Sequence, residues 1–281
     1  MQLFAIRRED CKNQNGFTRM HILSSVPAGS IMRTPIRIHW SVPMGFILWE
    51  VFSLSDLDER SSTGIFLLLA PQIIFISALI SIVLIHELAH AMTARIWDVR
   101  TRGIYLHVFG GLTLFASPGL SELRPMQKIV VYAAGPASNL LCYAMAALLL
   151  RVIKEPVFTG IFGLFAGMNL WIGIFNLLPI WPLDGGQALH AFTGLFRLGS
   201  RLSEWITLTV SMLHSIPLAC LAWKAEEYWL FLILLILIAS TVSLLSAGDP
   251  ELNTSQKERN VVILDDSKNC CSENVIARNG L

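Results

Sequence analysis

Residues 64–97 read G-I-F-L-L-L-A-P-Q-I-I-F-I-S-A-L-I-S-I-V-L-I-H-E-L-A-H-A-M-T-A-R-I-W. The stretch is apolar and uncharged up to Ile85, and an α-helix needs ~20 such residues to cross about 30 Å of hydrocarbon. It then turns into L-I-H-E-L-A-H-A. Residues four apart share one face of a helix with ~3.6 residues per turn, so His86 and His90 can both reach one metal ion. Glu87 sits beside them, suited to act as a base on water held by that metal. Two histidines and a glutamate at hydrocarbon depth are expensive and point to a site. The plainer reading, polar side chains satisfied by neighbouring helices, must meet that cost three times. His86 precedes Arg95, read as the cytoplasmic edge, by nine residues, which at ~1.5 Å each is on the order of 14 Å of depth.

The rest of the chain agrees with a membrane setting. Of 281 residues, 54% are hydrophobic and 15% charged, against roughly 25% charged in a typical soluble domain, and mean hydropathy is +0.58. That excludes a disordered chain and argues against an ordinary soluble enzyme. A net charge of +1 offers no basic stripe for nucleic acid. Six candidate spans stand out: Ile36–Leu54, Gly64–Trp97, Ile129–Ile153, Val157–Leu183, Trp205–Trp223 and Trp229–Ala247. The expected fold is an all-α polytopic membrane protein of about six transmembrane helices, with a three-helix catalytic core and a short strand-like loop after the second helix. Residues 1–35 read as a cytoplasmic N-terminal segment, 36–247 as the membrane-embedded domain with its core at about 64–190, and 248–281 as a cytoplasmic tail. Basic loops alternate with sparse or acidic ones, which puts both termini in the cytoplasm by the positive-inside rule. Residues 1–30 lack the apolar core of a secretory signal. The five cysteines, Cys11, Cys142, Cys220, Cys270 and Cys271, form no C-x-x-C pair and read as structural or incidental.

A second polar intrusion lies at F-N-L-L-P-I-W-P-L-D-G-G, residues 175–186. Pro179 and Pro182 remove backbone donors and break a regular helix. Such backbone is tolerated at membrane depth only when buried in protein or lining a wet cavity. Asp184 at this break offers a charged oxygen ligand. Catalytic zinc sites use three protein ligands and leave a fourth position for water; His86, His90 and Asp184 complete such a set. Asp184 also reads as a turn residue before Gly185-Gly186, and the two readings are compatible. Both motifs fall on the cytoplasmic side.

H-E-L-A-H and N-L-L-P-I-W-P-L-D-G-G together resemble the motifs of the site-2 protease family of intramembrane zinc metalloproteases. V-F-G-G (Val108–Gly111), A-A-G-P-A-S-N (Ala133–Asn139) and I-H-W (Ile38–Trp40) are similar to further family segments. The resemblance covers roughly residues 35–195 and is closest to the compact bacterial branch that includes a sporulation protease. It implies one Zn2+ per chain on His86, His90 and Asp184, Glu87 as the catalytic residue, and Asn176 and Pro182 as residues that shape the site or hold the substrate. It implies as partners a lipid bilayer and a single-pass transmembrane substrate, cut within or near its span, and as location a bacterial inner membrane. Gly110 and Gly111 can supply a strand-like edge for an extended substrate, although Val108–Phe115 alternates poorly. Rival readings are a metal-ion transporter and a non-catalytic homologue that binds transmembrane helices. His39 and His107 read as structural or interfacial, His190 as near the mouth of the site, His214 as isolated, and Asn139 as bonding a helix neighbour rather than zinc. Neither the natural substrate nor the oligomeric state is legible.

Overall fold

The computed structural model describes residues 25–32, 34–47, 65–108, 110–116 and 119–247. The chain divides into two units, Met1–Ser117 with Ala134–Phe175, and Pro118–Ala133 with Asn176–Leu281.

In the first unit, strands β1 (Ser25–Ile31), β2 (Thr34–His39), β3 (Thr101–His107) and β4 (Gly110–Phe115) form one sheet in that spatial order. β1–β2 and β3–β4 are antiparallel, and β2–β3 is parallel. A parallel neighbour demands a crossover connection. The element that makes it is α1 (Ile65–Arg95), the helix carrying H-E-L-A-H. The metal-motif helix is therefore the crossover of a β-α-β unit. It is seated on the sheet through Ala91, Ile36, Ile104 and Leu106, with Ile80, Val83, Leu84 and Leu88 packed against them. α1 stops where Asp98 takes a left-handed φ of 60°, a common helix terminus. The unit is completed by the C-terminal part of α2 (Pro125–Leu149) and most of α3 (Pro156–Leu177).

The second unit holds α4 (Asp184–Thr193), α5 (Ser200–Lys224) and α6 (Tyr228–Ala247). α5 and α6 form a helical hairpin. Trp223 closes its turn against Tyr228 and Phe231, with ring centroids 5.6 and 5.1 Å away. Ser203, Thr207, Ser211 and Ser215 recur every fourth residue on α5, and all four are buried. Small hydroxyl residues at this spacing let helices approach closely in a membrane.

Four helical stretches among the described residues are long and apolar enough to cross a bilayer: Ala70–Arg95, Pro125–Leu149, Pro156–Leu177 and Arg201–Lys224; the apolar stretch Tyr228–Val242 is shorter. Leu141, Trp171, Leu213 and Trp229 each stand more than half exposed, too much apolar surface for water and ordinary against lipid tails. The chain is an integral membrane protein.

Four expectations need correction. "All-α" is too narrow, because a four-stranded sheet stands beside the helices. The candidate span Ile36–Leu54 does not start as a helix: Thr34–His39 is a strand, and helix follows at 41–47. Ile36 and Ile38 alternate with Arg37, a period of two that fits a half-buried strand; residues 48–54 lie outside the described residues. The span Val157–Leu183 is shorter than expected, since its helix ends at Leu177 and the chain restarts as α4 at Asp184. Ser25–Ile31, counted in the N-terminal segment, belongs to the sheet. The loop expected to be strand-like is β4. Cys11, Cys270, Cys271, residues 1–24 and the tail from 248 lie outside the described residues.

Candidate active site

His86, Glu87 and His90 occupy one turn of α1, and all three are buried. The Nε2 atoms of His86 and His90 lie 3.1 Å apart. Two imidazole nitrogens on one metal at about 2.0–2.1 Å in tetrahedral geometry are separated by roughly 3.3 Å, so the pair fits a shared ion. His86 Nδ1 lies 3.2 Å from Asn139 Oδ1. The Nδ1–H donates to that oxygen, which leaves the Nε2 lone pair for the metal and fixes the ring's orientation. Asn139 is fully buried on α2, so it serves a histidine, as a helix neighbour, and is not itself a ligand.

Gly135, one turn earlier on α2, explains how the helices come so close. A Cβ there would strike both His86 Nε2 and His90 Nε2. The nitrogens that could hold a metal thus face a backbone without a side chain.

On the sheet side, Glu87 meets β4. The Thr113 hydroxyl donates to Glu87 Oε2 at 2.7 Å, and a Cβ on Gly111 would run into the Glu87 side chain. Gly111 and Thr113 share one face of the strand, two residues apart. β4 ends the sheet order, so its outer edge has no strand partner among the described residues. Gly110 sits at the β3–β4 turn with φ +136°, a left-handed conformation open to glycine. It lines a groove of about 440 Å³ with His39, Ser41, His107, Val108 and Gly111. His39 Nδ1 accepts the Ser41 backbone N–H at 3.1 Å, and its ring lies 4.7 Å from that of His107.

Asn176, Pro182 and Asp184 belong to the second unit. Asn176 is half-buried in the last turn of α3, Pro182 is exposed, and half-buried Asp184 opens α4, where a carboxylate also suits the helix dipole. Cβ atoms on Gly185 and Gly186 would collide with the backbone of Leu177–Leu178 and of Ile180–Trp181 respectively. The D-G-G sequence is what lets the first turn of α4 fold back on the segment before it. His190 lies 3.3 Å by Nδ1 from Thr207 Oγ1 and edge-on to Trp181. His214 donates from Nδ1 to Val210 O of its own helix at 2.7 Å.

Thr113 escaped the sequence reading. Its one signal is its place two residues after Gly111. Hydrogen bonds to charged groups contribute about 1.5–3 kcal/mol. Thr113→Val should therefore lower kcat of the activity proposed below roughly 10- to 100-fold, with bound metal unchanged, while Thr113→Ser keeps most of the rate. Steady-state kinetics alongside metal analysis checks this.

A buried His–Glu–His turn beside a sheet edge, in a polytopic helical protein, defines a membrane protein with an H-E-x-x-H metal-site helix. The profile of Peptidase family M50 matches residues 74–160 and 153–218, more than half of the chain, and the chain belongs to that family. It is similar to Stage IV sporulation protein FB of Bacillus subtilis (strain 168), 35% identical over 154 residues that cover 52% of each chain. It is 32% identical over 173 residues to Zinc metalloprotease MJ0392 of Methanocaldococcus jannaschii, covering 59% of this chain and 45% of that one. The chain spans about half the length of the curated relatives it matches. Among solved structures, the Site-2 Protease from Methanocaldococcus jannaschii shares the fold, with a TM-score of 0.55, 20% identity, and coverage of 78% of this chain and 94% of that one.

Proposed function

We propose that the chain is an intramembrane zinc endopeptidase. It hydrolyses a peptide bond within or near the transmembrane segment of single-pass membrane proteins, with His86, His90 and Asp184 as ligands of one Zn2+ and Glu87 as the catalytic base. The observation that carries this reading is the pair of Nε2 atoms 3.1 Å apart, with Glu87 on the same turn held by Thr113. Membership of family M50 and the zinc metalloprotease named among the relatives support it. We place the protein in a bacterial inner membrane with both termini cytoplasmic.

Zinc held by these residues would supply Lewis acidity, which polarises a carbonyl and makes water easier to deprotonate near neutral pH. Glu87 takes the proton of the attacking water and passes it to the leaving amine. Thr113 occupies Oε2, which leaves Oε1 for the proton. Asn139 holds His86 in the tautomer that keeps Nε2 unprotonated. A helical substrate hides its carbonyls in its own hydrogen bonds. Unwinding it in a dry bilayer exposes groups at several kcal/mol each, so the enzyme must offer substitute partners. The edge of β4 at Gly110–Gly111 does so by strand addition, which lays the extended substrate beside Glu87. Asn176 and Pro182 are assigned to shaping the site or holding the substrate.

The test uses the purified chain in detergent with a single-pass reporter. Wild type should carry about one zinc and cut the reporter in or near its span. A chelator should abolish cutting, and added Zn2+ should restore it. Cutting that survives complete removal of metal would sink the proposal.

A further inference from the structure

We infer that Ser211 of α5 and Thr241 of α6 are positioning residues for Asp184: they clamp the Trp181 peptide, three residues before it, from both sides. This deepens the reading of Asp184 as the third metal ligand and rests on it.

Between α3 and α4 the backbone leaves the regular hydrogen bonding of both helices. Buried N–H and C=O groups need partners, and in hydrocarbon water supplies none. Pro179 and Pro182 have no N–H. The Ile180 N–H donates to Leu178 O at 2.7 Å, the Leu183 N–H to Ile180 O at 2.8 Å, and the Gln187 N–H to Leu183 O at 3.0 Å. The Gln187 side-chain amide donates to Pro182 O at 2.9 Å. The Trp181 N–H, the Trp181 carbonyl and the Pro179 carbonyl are not met by this segment or by its flanking helices. All three are met from α5 and α6. The Trp181 N–H donates to Ser211 Oγ at 3.0 Å, and Ser211 Oγ donates to Pro179 O at 3.3 Å. Thr241 Oγ1 donates to Trp181 O at 2.9 Å, sharing its proton with Leu237 O of its own helix at 2.8 Å. A serine hydroxyl offers one donor and two acceptor lone pairs, and Ser211 uses its donor and one lone pair here.

Their partners set these two hydroxyls apart. Ser211 and Thr241 are both 0% exposed. A helical serine or threonine commonly bonds the carbonyl four residues back, as Thr207, Thr209 and Ser240 do here. Ser211 instead donates across to Pro179. The clamp reaches Asp184 because the chain between has no slack. Gly186 lies so close to Ile180 and Trp181, and Gly185 to Leu177 and Leu178, that neither has room for a Cβ. A shift of the Trp181 peptide is therefore passed to the first turn of α4. On this inference α5 and α6 supply the hydroxyls that make an irregular, proline-broken ligand segment tenable inside a membrane.

The experiment compares full-length wild type, Ser211→Ala, Thr241→Val, Ser211→Thr and Thr241→Ser. Zinc affinity is read by competition with a chromophoric chelator, and hydrogen–deuterium exchange over the segment containing Trp181 is read on the metal-free protein. Ser215→Ala is the control: one turn further along the same buried face, its Oγ has no hydrogen-bond partner among the described residues. Partners one step removed from a ligand typically change metal affinity about 10- to 100-fold. Ser211→Ala and Thr241→Val should each weaken zinc binding by about tenfold or more on that basis. Ser211→Ala should also speed exchange of the Trp181 amide. Ser211→Thr and Thr241→Ser should restore most of the affinity, and Ser215→Ala should match wild type. Zinc held as tightly by Ser211→Ala and Thr241→Val as by wild type would overturn the inference and leave the protease reading standing. So would an equal loss in Ser215→Ala, which would show a general packing effect. Wild type that binds no zinc would overturn the metal-site reading itself, and the inference with it.

Discussion

Glu87→Gln should retain about one zinc per chain and lose cleavage of a transmembrane reporter by a factor of ~10³ or more, within or above the 10²–10⁴ range of a positioned general base. The substitution isolates proton transfer because little else changes. Glutamine is isosteric with glutamate, and its carbonyl oxygen can still accept the Thr113 hydroxyl that Glu87 Oε2 accepts at 2.7 Å. The close approach of Gly111 to this side chain is preserved as well. His86 and His90 keep their Nε2 separation, and Asn139 still fixes the tautomer of His86, so the proposed ligands are untouched. What disappears is a group able to take a proton from water near neutral pH. Zinc content by elemental analysis and single-turnover cutting, measured on the same preparations, check both halves. A variant that binds zinc and cuts within tenfold of wild type would remove Glu87 from the mechanism. Loss of both would show that the substitution disturbs the site rather than the chemistry.

The sequence shows the chemistry of this protein more plainly than its scaffold, for physical reasons. A helix that must hide its own hydrogen bonds in lipid declares itself by length and apolarity: Gly64–Trp97 as read and Ile65–Arg95 as folded differ by a residue or two at each end. The H-E-L-A-H turn is legible because helix spacing alone puts His86 and His90 on one face. The break before Asp184 is legible because two prolines cannot be hidden in a helix. The sheet is different. Its pairing of β2 with β3 joins residues near 36 to residues near 104, and no local pattern announces a partner so far along the chain. Ile36 and Ile38 can be counted as the start of an apolar span or as one face of a strand, and only β3 decides. β4 alternates poorly because its inner positions are a glycine and a threonine, chosen by closeness to Glu87 rather than by burial. Ser211 and Thr241 are hidden for the opposite reason. Hydroxyl residues are common in membrane helices, and nothing near them marks these two as partners of a peptide 30 and 60 residues away.

Adding a single methyl group at Gly135 should empty the metal site of a protein that otherwise folds. Gly135 lies on α2, and a Cβ there would meet His86 Nε2 and His90 Nε2, the two atoms proposed to hold the ion. Relief by movement is blocked on each side. His86 is tied through Nδ1 to Asn139, four residues on along the same helix, so swinging its ring away breaks a buried hydrogen bond. The turn that carries both histidines is packed on the sheet through Ala91 and Leu88. The helix itself has no objection, since alanine is favoured over glycine in a helix interior by about 0.8–1.0 kcal/mol. Gly135→Ala should therefore be expressed, inserted and at least as helical as wild type, yet bind zinc about 100-fold more weakly, the upper end of the scale for changes next to a ligand, and show no detectable cleavage. Gly163→Ala in α3 is the matched control, because a Cβ there meets nothing within 4 Å; it should keep wild-type zinc and activity. Circular dichroism, zinc content and reporter cleavage on the three proteins settle the matter. A Gly135→Ala protein that holds zinc and cuts would mean that α2 does not press against the histidine pair, and the close-packed metal site described above would have to be abandoned.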